Sequence, residues 1–457
     1  MNIPSGLTEE IMKSYFELLK FETVGADPTK LRDCVNCAMW IKNWLTPMGF
    51  TSELMQAPDK LGTPPVLYAI RPGTEGAMTI LFYGHYDVQP ADPLEAWQTP
   101  PFEPTLKDDG RVYCRGSQDD KGQWYACLSG VRKFLEKRAQ GGSVPTIKIV
   151  LEGQEESGSG ALSALAPTIA EKLRADVLLV CDTGAAADLR PAIIAGLRGV
   201  SHFTVRLEAA DHDLHSGEFG GIAPNPAQGI AELMASLHNP DGSIAVKGFC
   251  DGIEAPTDEE RQAAEAAAMS DERYAEEMGC PPVGGEVGLT PTERNSFRPT
   301  IEINGIHTGY GGPGSKTVIP AGALAKVSMR LVPGQNPDTV MKCVVDHLER
   351  NTPRGMKLFV EDLSGEAGGF RLPLASPVFR LAKFVLEEMD PRRPVFQWDG
   401  ASIPVVSVLK QVSGAAPLIV GWGQPQDRIH SPNESYGLDQ FAKAMTWGEK
   451  ILTALCD

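Results

Sequence analysis

Short apolar segments alternate with helical patterns through the first 195 residues, and this alternation stops and then resumes after residue 370. The apolar segments VLYAI, MTILFYG, TIKIVLEG and DVLLVCD are separated by helical patterns over residues 121–138 and 161–173. Such alternation predicts an α/β unit with a largely parallel sheet. The alternation returns with the helical pattern PVFRLAKFVLEEM, the apolar runs IPVVSVL and PLIVGWG, and a last helix over LDQFAKAMTWGEKILTAL. We therefore expect this unit to be built from both ends of the chain.

The middle of the chain has a different character. Alternating strands such as VSHFTVRLEA, PTIEING and LAKVSMRLV occur with helical patterns over residues 226–237 and 338–350, which is typical of a small α+β domain. A chain of 457 residues also exceeds what one hydrophobic core usually supports. We predict one domain of residues 1–197 and 371–457, with a second domain of residues 198–370 inserted into it. The Ala- and Glu-rich segment 255–278 is interpreted as solvated helix in the inserted domain.

Charge and composition narrow the classes of partner. A net charge of −17 and a pI near 5.0 disfavour nucleic acid and anionic membranes, which select basic surfaces. The N-terminal segment MNIPSGLTEEIMKSYFELL has acids where a signal peptide needs Lys or Arg, and no apolar run reaches membrane-spanning length. Nine cysteines without the spacing of a disulfide framework are typical of reduced thiols, so we expect a cytoplasmic location. Cys34 and Cys37 form a C-x-x-C pair, but the pair lies in a helical pattern and favours buried thiols.

Histidine and carboxylate side chains follow several of the predicted strands. MTILFYG leads into His85 and Asp87, TIKIVLEG into Glu155 and Glu156, DVLLVC into Asp182, and PLIVGWG is followed within a short loop by His430. Asp119 and Asp120 lie in the loop RGSQDDKGQ, which could reach the same edge. Ligands of open α/β sheets bind beyond the carboxyl ends of the strands, where loops converge. Any one of these residues alone could be a helix cap or an ion-pair partner. Together, imidazole and carboxylate without thiolate favour zinc, manganese or cobalt in a hydrolytic site.

A series of short motifs resembles a known enzyme family. The strings GHYDVQP, RGSQDDKG, EGQEESGS, VCDTG, DLHSGEFGG, GSKTVIP, MRLVP and DGASIPV occur in this order over nearly the whole chain. Together they resemble the zinc-dependent exopeptidases that include carnosine dipeptidase and cytosolic nonspecific dipeptidase. Carboxypeptidase G, acetylornithine deacetylase and succinyl-diaminopimelate desuccinylase are more distant members. The resemblance implies a phosphorylase/hydrolase-like mixed sheet sandwiched by helices, with an inserted ferredoxin-like α+β lid domain that forms a homodimer.

The resemblance also implies a centre of two zinc ions, for which manganese or cobalt could substitute. One ion would be held by His85, Asp119 and Asp182, and the other by Asp119, Glu156 and His430. In this family the bridging carboxylate is the first acid of the D-D-K-G string, which is Asp119 rather than Asp120.

Three further residues have catalytic roles by the same resemblance. Asp87 would orient the imidazole of His85. Glu155 would accept a proton from a water between the two ions and deliver it to the leaving amine. His215, in the string DLHSGEFGG of the inserted domain, would stabilise the oxyanion in the active site of the other subunit.

Substrate-binding positions are implied at Thr317 of KTVIP, Arg330 of MRLVP and Ser402 of GASIP. Arg330 suits bidentate binding of a peptide C-terminal carboxylate. Ala401 stands where the dipeptidases usually carry a second glycine, so the substrate pocket could differ in shape.

The expected function is hydrolysis of dipeptides or short peptides. An N-acyl-amino-acid deacylase or a carbamoyl amidohydrolase would use the same metals and base with a different pocket. A metal-loaded binding protein without turnover would be favoured had Glu155 or a ligand been replaced, and none has been. The string GYGGPGSKT looks like a phosphate-binding loop, but Ser315 separates Gly314 from Lys316, which disfavours nucleotide binding.

Overall fold

The structure is a computed structural model that describes residues 4–57, 60–400 and 403–456. The chain divides into two compact units. Unit 1 comprises Met1–Ala195, Leu372–Gln397 and Val405–Asp457, and unit 2 comprises Gly196–Arg371 and Trp398–Pro404. Residues 398–404 thus belong to the unit of the middle segment, whereas the sequence-based division placed them with the chain ends.

The described residues form α-helices and one-turn 3₁₀ helices in both units. The α-helices are α1 Glu9–Leu19, α2 Leu31–Leu45, α3 Lys121–Arg138, α4 Gly160–Leu165, α5 Ala170–Leu173, α6 Ser216–Phe219, α7 Pro226–Ala235, α8 Asp258–Ala267, α9 Asp271–Met278, α10 Pro291–Phe297, α11 Pro337–Arg350, α12 Pro377–Met389, α13 Pro404–Ser413 and α14 Leu438–Cys456. The 3₁₀ helices, all in unit 1, span Pro28–Lys30, Thr46–Met48, Leu94–Ala96, Glu155–Ser157, Ala166–Ile169 and Pro425–Asp427.

The strands of the same residues range from two to eleven residues in length. They are β1 Thr51–Met55, β2 Val66–Arg71, β3 Thr79–His85, β4 Thr105–Leu106, β5 Arg111–Tyr113, β6 Thr146–Glu152, β7 Val177–Val180, β8 Ala192–Leu197, β9 Gly199–Glu208, β10 Leu214–His215, β11 Thr300–Thr308, β12 Val318–Ile319, β13 Gly322–Leu331, β14 Lys357–Ala367, β15 Phe370–Arg371, β16 Val395–Asp399, β17 Ala416–Ile419 and β18 Ser435–Gly437.

Unit 1 is built on a mixed sheet with the strand order β1-β2-β6-β3-β7-β17-β8. The four neighbours β6, β3, β7 and β17 run parallel. The outer pairs β1–β2, β2–β6 and β17–β8 are antiparallel. The prediction of a largely parallel sheet therefore holds for the four central strands, and the mixed sheet that the resemblance implies is confirmed. The central strands are buried over almost their whole length, as expected where helices cover both faces of a sheet.

Two long helices of unit 1 pack unusually closely. A Cβ atom added to Gly130 in α3 would lie 1.9 Å from the carbonyl oxygen of Met445 in α14, and one added to Gly448 in α14 would lie 2.1 Å from the carbonyl oxygen of Cys127 in α3. These two glycines let the backbones approach closer than any side chain permits. Trp124 of α3 and Trp447 of α14 are both fully buried.

Unit 2 contains a four-stranded antiparallel sheet in the order β11-β13-β9-β14. The helices α7 and α11 pack on this sheet through a core that includes Phe203, Val327, Ile230 and Leu348. Both helices begin in the same way: an asparagine side chain, Asn225 or Asn336, caps the first turn, and a proline follows it at the first helical position. This α+β arrangement agrees with the predicted fold class. The segment predicted to be solvated helix forms α8 and α9, and no residue of α9 is buried.

Two sequence patterns fold differently from their plain interpretation. The single helix predicted over residues 161–173 is divided into α4, a 3₁₀ turn and α5, because Pro167 at the start of the turn has no N–H for a continuous α-helix. The apolar run IPVVSVL forms the helix α13 rather than a strand. Pro404 occupies its first turn, where the missing N–H is tolerated.

Candidate metal centre and active site

The predicted site residues of unit 1 lie beyond the carboxyl ends of the parallel strands. β3 ends at His85, which is in register with Glu152 at the end of β6. The 3₁₀ turn Glu155–Ser157 follows β6. Asp182 comes two residues after the end of β7, and His430 lies in the loop that follows β17. Because these four strands are parallel neighbours, their loops converge on one edge of the sheet.

The five predicted metal ligands are brought together in two overlapping groups. In the first group, His85 Nε2 lies 3.1 Å from Asp119 Oδ1 and 3.7 Å from Asp182 Oδ2. In the second group, His430 Nε2 lies 2.9 Å from Asp119 Oδ2 and 3.2 Å from Glu156 Oε2. Within each group the ligand atoms all lie within 4.8 Å of one another. Asp119 belongs to both groups and turns one carboxylate oxygen towards each.

The electrostatics of this cluster fit a bound cation. Burial raises the pKa of Asp182 to about 7, with His85 opposing the shift and the carboxylate of Asp119 adding to it. Hydrogen bonds to Asp119 and Glu156 raise the pKa of His430 to about 10. The Asp182 carboxyl and the His430 imidazole therefore hold protons more tightly than usual when no cation is bound, whereas hydrogen bonds from His430 and His85 outweigh burial and lower the pKa of Asp119. Two imidazole nitrogens and three carboxylates are a donor set that zinc, manganese or cobalt accepts, and such ions would supply the missing positive charge.

Asp87 contacts both the His85 ring and the turn that carries Glu155 and Glu156. Its carboxylate Oδ1 lies 3.4 Å from His85 Nδ1, and its carbonyl oxygen lies 3.1 Å from the same nitrogen. A proton on Nδ1 satisfies these acceptors and leaves Nε2 directed at the first ligand group. The same carboxylate accepts the backbone N–H of Glu155 at 3.1 Å and that of Glu156 at 3.2 Å. Asp87 thus holds both the imidazole and the turn that carries the two glutamates.

The two adjacent glutamates have different surroundings. Glu156 belongs to the second ligand group and also accepts a hydrogen bond from Gln89 Nε2 at 2.8 Å. Glu155 belongs to neither ligand group of the described residues and is partly accessible to solvent. Burial of its carboxylate raises the pKa of Glu155 well above the usual value.

The two adjacent aspartates, Asp119 and Asp120, also have different surroundings. Asp119 faces both ligand groups, whereas Asp120 is fully buried and its Oδ2 accepts the backbone N–H of His85 at 3.3 Å. The peptide bond between them is cis. The structure therefore places Asp119, and not Asp120, among the candidate ligands.

His215 and Thr317 meet in unit 2. His215 is in register with Val318 where β10 pairs with β12, and the backbone N–H of Ser216 donates to the Thr317 carbonyl at 3.1 Å. The Nδ1 atom of His215 accepts the backbone N–H of Gly217 at 2.9 Å. Because Nδ1 is an acceptor, the neutral ring carries its proton on Nε2. The exposed ring thus offers a donor to solvent or to a ligand.

Arg330 lies half-buried on β13, and its side chain forms no hydrogen bond or ion pair with the described residues of the chain. Its positive charge acts on Arg198, a buried residue that the sequence analysis did not single out. Burial, reinforced by Arg330, lowers the pKa of Arg198 to about 10. Arg198 donates to the Gly400 carbonyl at 2.9 Å and to Asn295 Oδ1 at 3.0 Å. Ser402 and Ala401, which follow Gly400, lie outside the described residues.

The chain is similar to the members of a known peptidase family. The model of peptidase family M20/M25/M40 matches residues 81–454. The Cys-Gly metallodipeptidase of Schizosaccharomyces pombe is 29% identical over 460 residues, which cover 96% of this chain and 94% of that protein. The human Beta-Ala-His dipeptidase is 32% identical over 394 residues, which cover 83% of this chain and 75% of that protein. A solved M20 family metallo-carboxypeptidase from Sulfolobus solfataricus superposes with a TM-score of 0.86 at 27% identity, covering 98% of this chain and 99% of that one.

These similarities confirm the predicted family resemblance and fold class, and they do not favour the deacylase or carbamoyl amidohydrolase alternative. Every helix in the described part of the chain falls short of the length and apolarity that a membrane span requires. The family model covers most of the chain, and both groups of candidate ligands lie within the matched range. The chain therefore belongs to peptidase family M20/M25/M40 and is a metal-dependent hydrolase.

Proposed function

We propose that the protein is a dipeptidase with two catalytic divalent metal ions. The observation that carries this proposal is the Asp119 carboxylate, which is shared by two ligand groups while Glu155 lies beside them and belongs to neither. The relatives from Schizosaccharomyces pombe and human support a dipeptide substrate, because one is named for Cys-Gly and the other for Beta-Ala-His.

The two ions are proposed to be zinc, with manganese or cobalt as substitutes. One would be held by His85, Asp119 and Asp182, and the other by Asp119, Glu156 and His430. When bound, they would polarise the substrate carbonyl and lower the pKa of a water molecule. Metal analysis of the purified protein by mass spectrometry would give the number and identity of the ions, and we expect two equivalents of zinc.

The chain's own residues provide the proton transfer. Glu155 is proposed to accept a proton from the attacking water and to donate it to the leaving amine. The hydrogen bond from its backbone N–H to Asp87 fixes the position of the turn that carries this carboxylate. His85 keeps Nε2 towards the first ligand group because Asp87 occupies the Nδ1 side.

We further propose that the inserted domain, residues 198–370, forms a homodimer and that His215 completes the active site of the other subunit. Its exposed Nε2 donor suits an oxyanion. Support for the dimer comes from β11, which lies at the edge of the four-stranded sheet and carries Ile303 and Ile306 with exposed fractions of 40% and 46%. An edge strand leaves backbone N–H and C=O groups unpaired, and a second copy of the chain could pair with them.

A complementation experiment tests whether His215 acts in the other subunit. Homodimers of His215→Ala and of Glu155→Gln should each be inactive. A mixed dimer contains one site that has an intact Glu155 and receives an intact His215, so mixing the two proteins should restore activity. No recovery in a mixture shown to exchange subunits, or full activity of the His215→Ala homodimer, would contradict the shared site.

Substrate binding is proposed to involve Arg330, Thr317 and Ser402. Arg330 has no ion-pair partner in the described chain and lies near a second guanidinium, that of Arg198, so this part of unit 2 favours a carboxylate ligand. We expect Arg330→Ala to raise KM for a dipeptide about 100-fold, while a dipeptide amide, which has no terminal carboxylate, should be a poor substrate of both proteins. Equal use of amide and free acid by the unchanged protein would contradict this role.

We also propose a cytoplasmic location. The nine cysteines, which all lie in the described part of the chain, form no disulfide, and five of them are buried, which suits a reducing compartment. Cell fractionation followed by immunoblotting would test the location.

The proposed function as a whole is tested by a substrate screen. Purified protein should be assayed against dipeptides, tripeptides, N-acyl amino acids and N-carbamoyl amino acids, each with and without a chelator. We expect chelator-sensitive hydrolysis of dipeptides to be the fastest reaction. Faster removal of an acyl or carbamoyl group would overturn the dipeptidase assignment.

A further inference from the structure

Glu434 is a fully buried carboxylate close to the metal centre in sequence, four residues after His430. Its two oxygens each accept two hydrogen bonds. Oε2 accepts from Arg115 Nη1 at 2.8 Å and from the Gly116 backbone N–H at 3.0 Å, and Oε1 accepts from the backbone N–H groups of Gln118 at 3.0 Å and Asp119 at 3.2 Å. This one side chain therefore accepts three of the six backbone N–H groups of residues 114–119.

The same segment, residues 114–119, is held by further bonds. The backbone N–H of Cys114 donates to the Glu434 carbonyl at 3.1 Å, and the hydroxyl of Tyr15 donates to the Ser117 carbonyl at 2.6 Å. The guanidinium of Arg115 is almost fully buried and also donates to the Pro90 carbonyl at 3.0 Å. Both the main chain and the side chain of Glu434 thus hold the segment in one conformation.

The loop that carries His430 leads directly into Glu434 and is held by hydrogen bonds of Asn433. His430 and Asn433 both have positive φ angles, of 56° and 66°. The Asn433 side chain accepts the backbone N–H of Gln98 at 2.7 Å and donates to the Ala96 carbonyl at 2.9 Å. Glu434 follows directly, so it connects the His430 loop to the Asp119 segment.

We propose that Glu434 is a positioning residue that holds Asp119 and His430 in a common ligand geometry before any metal binds. The proposal rests on the proposed function, because it requires that these two residues bind metal. A carboxylate suits this role because it is an acceptor at both oxygens, whereas an amide would direct an NH₂ group at N–H donors. Partners that orient metal ligands are typically worth 10-fold to 100-fold in metal affinity.

The chain offers a matched control for a purely structural effect. Asp427 is also fully buried and pairs with Arg111, and it accepts further hydrogen bonds from the Gln424 backbone N–H at 2.7 Å and from Gln440 Nε2 at 2.8 Å. In the described residues it forms no hydrogen bond with segment 114–119. Neutralising Asp427 therefore disrupts a comparable buried ion pair without removing an acceptor from the backbone N–H groups of Gly116, Gln118 and Asp119.

The experiment compares Glu434→Gln with Asp427→Asn. Each protein is stripped of metal, its folding is checked by circular dichroism, and zinc affinity is measured by competition with a chromophoric chelator. We expect both variants to unfold at lower temperature, Glu434→Gln to bind zinc about 10-fold to 100-fold more weakly, and Asp427→Asn to keep the affinity of the unchanged protein. An unaltered zinc affinity in folded Glu434→Gln, or an equal loss in both variants, would overturn the proposal. Failure of the unchanged protein to bind zinc would instead overturn the proposed function.

A second measurement needs no variant and covers the case in which Glu434→Gln does not fold. Hydrogen exchange of peptides spanning residues 114–120 is followed by mass spectrometry in the metal-free protein and after zinc is added. If Glu434 holds the segment, the amides of Gly116, Gln118 and Asp119 should exchange at least about 100-fold more slowly than in an unstructured peptide even without metal. Fast exchange without metal and protection only with zinc would show that the metal itself orders the segment.

Discussion

Replacing Glu155 with glutamine removes the proposed general base while keeping the size of the side chain. The backbone N–H of Glu155 remains bonded to Asp87, and Glu155 belongs to neither ligand group. Metal binding and substrate binding should therefore survive the change. The predicted loss is confined to the proton transfers, so kcat should fall while KM changes little.

The size of the loss follows from the surroundings of Glu155. A general base contributes roughly 10²-fold to 10⁴-fold to a rate. The nearby acids offer no replacement, because Asp119, Asp182 and Glu156 are in the ligand groups and both oxygens of Asp87 accept backbone N–H groups. We therefore expect kcat to fall by about 10³-fold to 10⁴-fold, which corresponds to about 4–5.5 kcal/mol at about 1.36 kcal/mol per tenfold.

The neighbouring acid provides the control for this prediction. Steady-state hydrolysis of a dipeptide and the metal content are measured in parallel for Glu155→Gln and Glu156→Gln. Glu155→Gln should retain the full metal content, whereas Glu156→Gln should lose metal from the second group. A Glu155→Gln protein with full metal content and a kcat near that of the unchanged enzyme would refute the base assignment. A loss of metal from Glu155→Gln would instead make Glu155 a ligand.

The other predictions concern the metals and the packing of α3 on α14. Asp119→Asn should lose tightly bound metal from both groups, seen as metal content after dialysis, because both groups share this carboxylate. Prolonged chelation should abolish activity, and readdition of zinc, manganese or cobalt should restore it in an activity titration. Gly130→Ala should destabilise the protein by about 3 kcal/mol or more in denaturant unfolding, since the new Cβ would lie 1.9 Å from a carbonyl oxygen and overpacking outweighs the gain of about 1 kcal/mol in helix propensity. Gly160→Ala, where a Cβ meets no atom within 4 Å, should be neutral or stabilising.

The fold of unit 1 was predictable where its signals are local. The apolar runs gave β3, β6 and β7, and the helical pattern over residues 121–138 gave α3 with its observed bounds. The segment VLYAI also predicted the strand β2, but the antiparallel pairing of the outer strands was not predictable, because pairing depends on which distant segment lies alongside. β2, for example, lies between β1 and β6, which are separated by about 90 residues of sequence. The register of such pairs is set by the burial of whole faces rather than by any local pattern.

The candidate site was likewise predictable only in part. The types of ligand were predictable from residues at strand ends, because a parallel sheet brings those ends together. The choice of Asp119 rather than Asp120 as the bridging ligand required the family resemblance. The two acids are adjacent in the sequence, so the local pattern does not distinguish them. The structure supplies the physical reason, because Asp120 is committed to the backbone N–H of His85.

A buried positioning residue such as Glu434 could not be predicted from the local sequence. A charged residue in a loop is ordinarily solvated, and burying it is costly unless partners satisfy it. The partners of Glu434 lie more than 300 residues away in the chain, at Arg115 and in the segment that follows it. The role of a charged residue close to a predicted ligand therefore cannot be predicted from the sequence. It becomes clear when the fold shows whether the loop of another ligand supplies hydrogen-bond donors to that residue. Where it does, as for Glu434, one ion pair connects two ligand loops, and a substitution at either end is expected to weaken metal binding although neither residue is proposed to touch the metal.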